Sequence, residues 1–111
     1  MSEDRIITLL GFLKEDPKDE FTLYALATEY KKSDKQEALK YFNILLEDHE
    51  NYVGTYYHAA ALLDELGDKE KAQQTYMKGM QIARQVGNMH AFSELQGAYN
   101  RFMGLDFEDE V

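Results

Sequence analysis

An all-α stack of antiparallel helix pairs is the fold class this sequence predicts, and three observations predict it. Apolar residues recur at three- and four-residue intervals along most of the chain, the spacing that lines one face of a helix, and no stretch reads convincingly as a strand. Between Tyr56 and Arg84 two such patterns flank a short break at Gly67-Asp68: Tyr56, Ala59, Ala60, Leu63 and Leu66 on one side, and Ala72, Tyr76, Gly79, Met80 and Ala83 on the other. Small residues (Ala59, Ala60, Ala72, Gly79) stand where two helices would cross closely, and Tyr56, Leu63 and Tyr76 fill the space between. The third observation is that this pair has a copy.

A shift of 34 lays SDKQEALKYFNILLE over GDKEKAQQTYMKGMQ, matching Asp34 with Asp68, Lys35 with Lys69, Ala38 with Ala72 and Phe42 with Tyr76. Upstream, Leu26-Ala27 falls over Ala59-Ala60 at a shift of 33, so the first copy has the shorter turn. A period in the low thirties with two helices per copy marks a stacked helical repeat. The first copy reads Leu23, Leu26-Ala27, Tyr30, Ala38, Phe42, Leu45, and the second Tyr56, Ala59-Ala60, Leu63, Ala72, Tyr76, Gly79. This pattern, from about Asp16 to Phe102, resembles the tetratricopeptide repeat family. The resemblance implies a short right-handed α-solenoid of about six helices. It implies one domain over residues 1–103, with a capping helix at 3–15, repeats at 19–48 and 52–86, a second capping helix at 89–103, and an acidic tail at 104–111.

In chain order, Ser2 is positioned as a helix cap and Glu3-Asp4 suit the positive end of the helix dipole. Ile6, Leu9, Leu10 and Leu13 then form an apolar stripe widened by Ile7 and Phe12. Pro17, the only proline, disfavours helix at Asp16, so this helix ends near Glu15. In the family a proline often closes a second helix, so 3–15 resembles half a repeat. Its acidic flanks argue against an amphipathic helix that lies on lipid.

The helix at 19–32 carries Phe21, Leu23, Leu26, Ala27 and Tyr30 as apolar members, with Lys31-Lys32 in its last turn. Ser33-Asp34 breaks the pattern, and Asp34 with Glu37 has the spacing of a capping box. Helix 35–48 turns Ala38, Phe42, Leu45 and Leu46 inward. Glu50 stands where the family often has proline, and Asn51 is placed to cap a helix starting near Tyr52. After the central pair, Gly87 suits a left-handed helix end and Asn88 a cap. The last helix repeats the first-helix pattern in Phe92, Leu95, Tyr99 and Phe102, as a third first helix without its partner. Gln96 takes a place where the family prefers a small residue, which loosens the packing expected there. In the tail, Leu105 and Phe107 are candidates to dock back onto the domain.

Composition narrows the function. A net charge of −9 opposes binding to phosphate backbones and anionic membranes, so neither a nucleic acid nor a membrane is an expected partner. The chain has no cysteine, which excludes disulfides and thiolate metal sites and fits the cytoplasm. The N-terminal stretch is acidic and reads neither as a secretory signal nor as a membrane span. His49 lies among Glu47, Asp48 and Glu50, but adjacent helical residues diverge, so a solvated charge cluster is expected rather than a metal site. With no phosphate loop and no nucleophile elbow, neither an enzyme nor a cofactor is expected.

The expected function is therefore non-catalytic protein binding. In the family, first helices line a concave groove that holds a peptide or protein segment. The matching positions here are Phe21, Tyr24, Ala25, Thr28, Lys31 and Lys32, then Tyr57, His58, Ala61, Asp64 and Glu65, then His90, Ser93, Glu94 and Gly97. Tyr24, Tyr57 and His58 have the flat apolar bodies and polar tips that suit peptide contact. Tyr24 and Tyr57 have a second reading as covers for the inner helices. Some family members grip the C-terminal carboxylate of heat-shock chaperones with a Lys/Asn/Arg clamp. Tyr24, Thr28, His58, His90 and Glu94 occupy the matching places, so no such clamp is expected. An alternative function is self-assembly into a two-fold homodimer through a face the capping helices leave open, with Met77, Met89 and Met103 as adaptable contacts.

Overall fold

The computed structural model describes residues 2–105 of the 111, without the Ser2 side chain; the Ser2 cap and the docking of Phe107 thus lie outside the described residues. Six α-helices span Ser2–Glu15 (α1), Glu20–Tyr30 (α2), Lys35–Asp48 (α3), Gly54–Glu65 (α4), Lys69–Val86 (α5) and Met89–Phe102 (α6). The described residues contain no strand. They divide into two compact units, one up to Thr55 and one from Tyr56 onward.

In the first unit α2 packs against both α1 and α3. Its core is the expected one: Leu23, Leu26, Ala27, Ala38, Phe42 and Leu45 are all fully buried. Each of the large ones contributes about 1.5–3 kcal/mol through burial. Tyr30 and Tyr41 stack in parallel at 5.8 Å between α2 and α3. Between α1 and α2 the periodicity missed an ion pair. Glu29, with its side chain only 11% exposed, takes Arg5 Nε at 3.0 Å and Lys32 Nζ at 3.3 Å. On α1 only Leu9 is fully buried, while Ile6, Leu10 and Leu13 are half-buried. Ile7 and Phe12 do not widen the buried stripe: they face outward at 68% and 55% exposure.

The helix ends follow from local chemistry. Asp34 caps α3 by accepting the Glu37 N–H at 3.1 Å. The reciprocal half of the capping box is diverted, because the Glu37 carboxylate takes Lys40 Nζ at 3.2 Å. Lys31 and Lys32 fall just past α2, with Lys31 as its C-cap. Asn51 does not cap α4: that helix starts at Gly54, and Asn51 lies in the preceding turn, where the Tyr52 N–H reaches back to His49 O.

In the second unit α5 packs on α6. Tyr56, Ala59, Ala60, Leu63, Ala72, Tyr76, Gly79 and Ala83 are buried as the seam pattern requires. The crossing is tight at Gly79, where an added Cβ would stand 2.5 Å from Tyr56 Cβ and 3.2 Å from Leu95 Cδ1. Only glycine fits there. Gly87 closes α5 at φ +79°, the Asn88 N–H reaches Ala83 O, and the Asn88 side chain caps α6 by accepting the Ala91 N–H.

Candidate partner-binding surfaces

The outward side of α2 and its C-cap carry four of the sequence-predicted residues at helical spacing. Phe21, in the first turn, is 65% exposed. Tyr24 is half-buried and meets Tyr52 edge to face at 5.4 Å. Burial, with a smaller contribution from Tyr52, raises its hydroxyl pKa. The ring lies against Gly54, where an added Cβ would touch Tyr24 Cε1 at 3.9 Å. Tyr24 thus covers the turn into α4, the second of its two readings, while keeping one side open. Thr28 is half-buried and its hydroxyl donates to Ala25 O at 3.0 Å; Lys31 is also half-buried. Ala25 is not on the open side: at 5% exposure it belongs to the core.

In the second unit Tyr57 is 38% exposed on α4, with His58 edge to face at 5.6 Å. His58 and Ala61 are half-buried and Glu65 is exposed. Asp64 pairs with Lys69 across the turn. On α6, His90 Nε2 lies 3.6 Å from the Glu94 carboxylate, one helical turn on, and both residues are exposed.

Two features lay beyond the sequence pattern. The first is His49, which is not a solvated charge. It is the C-cap of α3, its side chain is 19% exposed, and Nδ1 pairs with Glu20 Oε2 at 3.3 Å. The described residues contain no group of three or more side chains able to hold a metal ion. The second is a cleft of about 480 Å³ lined by Met80, Gln81, Arg84, Gln85, Phe92 and Gln96. The Arg84 guanidinium sits over the Phe92 ring at 4.7 Å. Gln96, the departure from the small residue expected there, is the one sequence signal that pointed to this opening.

Two structures of a tetratricopeptide repeat domain protein from Salinibacter ruber match the chain. The solution NMR structure is 43% identical over 82% of this chain and 93% of that one, at a TM-score of 0.76. The crystal structure is 42% identical over 79% of this chain and all of that one, at a TM-score of 0.73. The crystal structure of MamA protein is 25% identical over 94% of this chain but only 56% of that one, at a TM-score of 0.71. No protein-family model matches the chain, and no curated protein matches it. An all-α helical repeat with this identity over most of both chains settles the class, and the chain belongs to the tetratricopeptide repeat family. No helix among the described residues is long and apolar enough to cross a membrane.

Proposed function

We propose that the chain is a non-catalytic interaction module that binds a peptide or protein segment on the outward sides of its first helices, α2, α4 and α6. Repeats of this family are in general protein-interaction modules. The observation that carries the reading is the exposure of Phe21 and Tyr57, at 65% and 38%, on helices whose opposite faces are packed to 0–2%. Rigid aromatic rings on a fixed backbone lose little entropy when a partner covers them. In the first unit Thr28 and Lys31 accompany Phe21, and in the second His58, Ala61, Glu65, His90 and Glu94 accompany Tyr57, so each unit offers its own mixed surface. The net charge of −9 favours neutral or basic segments. Partners are proteins, without nucleic acid or membrane, and the compartment is the cytoplasm.

The test is affinity capture from lysate with wild-type bait beside a Phe21→Ala/Tyr57→Ala variant. Both substitutions remove exposed rings, so the fold persists, and circular dichroism checks it. A partner held by wild type and lost by the variant supports the reading; identical captured sets overturn it. An acidic peptide with a free C-terminal carboxylate should show no binding in titration calorimetry, because Glu94 opposes it.

A further inference from the structure

The α5–α6 cleft and the outward face of α1 are complementary, and we infer that α1 of a second copy of this chain docks in the cleft, joining copies head to tail. The cleft is identified by comparing α6 with α2. The two helices share one pattern: Phe92 corresponds to Leu23, Leu95 to Leu26, Gln96 to Ala27 and Tyr99 to Tyr30. On α2 the first three of these are at 0% exposure, covered by packing against α1 and α3. On α6, Leu95 is buried at 1%, but Phe92 is half-buried and Gln96 is exposed. The two positions that open on α6 are the two that line the cleft against α5. The cleft therefore has the character of a helix seat that is filled on α2 and empty on α6.

Its chemistry selects the occupant. Met80 and Phe92 offer apolar surface, three glutamines offer amide groups, and Arg84 brings a cation with no acidic residue in the lining. A fitting helix is apolar at its edges, narrow at its centre and acidic. The outward face of α1 has that form. Ile7 and Phe12 flank it, Thr8 and Gly11 form the centre, and Asp4 and Glu15 lie on the same side by helical spacing, all exposed. A Cβ added at Gly11 would meet nothing within 4 Å, so another helix can approach the backbone there. Such a contact joins two different surfaces, so each copy that docks still offers a seat or an α1, and assembly continues until a ring closes or the concentration limits it. It uses neither Phe21 nor Tyr57, so it stands or falls independently of the binding function proposed above.

Sedimentation velocity from micromolar to millimolar concentration tests this with two variants at exposed positions. Ile7→Glu/Phe12→Glu spoils the α1 face, and Gln81→Glu/Gln85→Glu makes the cleft acidic; circular dichroism confirms that both fold. Wild type should rise in mean mass beyond a dimer as concentration rises, and each variant alone should stay at 12.9 kDa. An equimolar mixture retains one good seat and one good α1, so it should stop at twice that mass. A wild type that stays monomeric throughout overturns the inference. So does either variant that self-associates alone, which would indicate a symmetric contact or a different face, or a mixture that remains monomeric.

Discussion

Leu23 and Leu45 occupy, in the first repeat, the positions that Tyr56 and Gly79 occupy in the second. Both leucines are at 0% exposure, and so, within 2%, is Tyr56. The first repeat thus places two side chains of equal size at these positions, whereas the second places one large ring against bare backbone. The 2.5 Å that would separate a Cβ at position 79 from Tyr56 Cβ is the geometric record of that exchange. Cores tolerate redistribution of volume better than its gain or loss, so the two repeats can share one helix-pair architecture without sharing residues. The seam constrains a sum of volumes more tightly than any single position.

That view is open to a double-mutant cycle in the second repeat. Gly79→Leu alone puts four carbons where no Cβ fits, and should cost about 3 kcal/mol or more by overpacking. Tyr56→Leu alone deletes buried ring atoms and should cost about 2 kcal/mol through lost transfer energy and a residual cavity. The double variant installs the residue pair of the first repeat. The helices must move apart to admit a Cβ at position 79 in either case. The space the ring vacates should then make the cost of the double variant at least about 1 kcal/mol less than the sum of the single effects. Urea denaturation of the four proteins measures the cycle. Strict additivity would show that the two positions do not trade volume.

The contrast between α2 and α6 gives the next effect. Ala27→Gln forces an amide into a site at 0% exposure, and should destabilise by about 2 kcal/mol through overpacking and polar burial. Gln96→Ala makes the reverse change at the corresponding exposed position, and should stay within about 0.5 kcal/mol of wild type. Thermal melts at a concentration where the chain is monomeric decide it. A large loss from Gln96→Ala would mean that the glutamine is already packed within its own chain.

These contrasts also mark what was legible in the sequence. Ala59, Ala60, Ala72 and Tyr76 were readable as a seam because helical packing places them by spacing alone. The turns at Asp34, Gly87 and Asn88 were readable because capping is chemistry within four residues. Ile7 and Phe12 were not, since an amphipathic pattern records which residues are apolar and leaves open how wide a face its neighbour covers. His49 failed for a related reason. Its partner Glu20 lies at the far end of a helix hairpin, so their meeting depends on α2 and α3 packing side by side. Gln96 was a visible departure, but the cleft it opens needed Arg84 and Phe92 placed in three dimensions.

The smallest expected effect separates the N-caps. Asp34 and Asp68 accept the backbone N–H of Glu37 and Lys71. Asp19 accepts both the Thr22 N–H, at 2.9 Å, and the Thr22 hydroxyl, at 2.7 Å. These bonds favour the charged carboxylate. They hold the Asp19 pKa below its ordinary value of 3.8, the hydroxyl contributing most. A carboxyl whose folded-state pKa is depressed adds stability that is fully present above its unfolded pKa and is lost as pH falls through the folded one. Thr22→Val removes the hydroxyl bond and returns the folded pKa toward 3.8. The melting temperature of wild type should therefore exceed that of Thr22→Val by its widest margin at neutral pH, and the margin should narrow as pH drops below 3.8. Asp34 and Asp68 lack a hydroxyl partner of this kind in the described contacts, so the hydroxyl bond is particular to the α2 cap. A margin that stays constant from neutral to acid pH would assign the effect of Thr22→Val to lost packing alone, and α2 would then be capped no differently from α3 and α5.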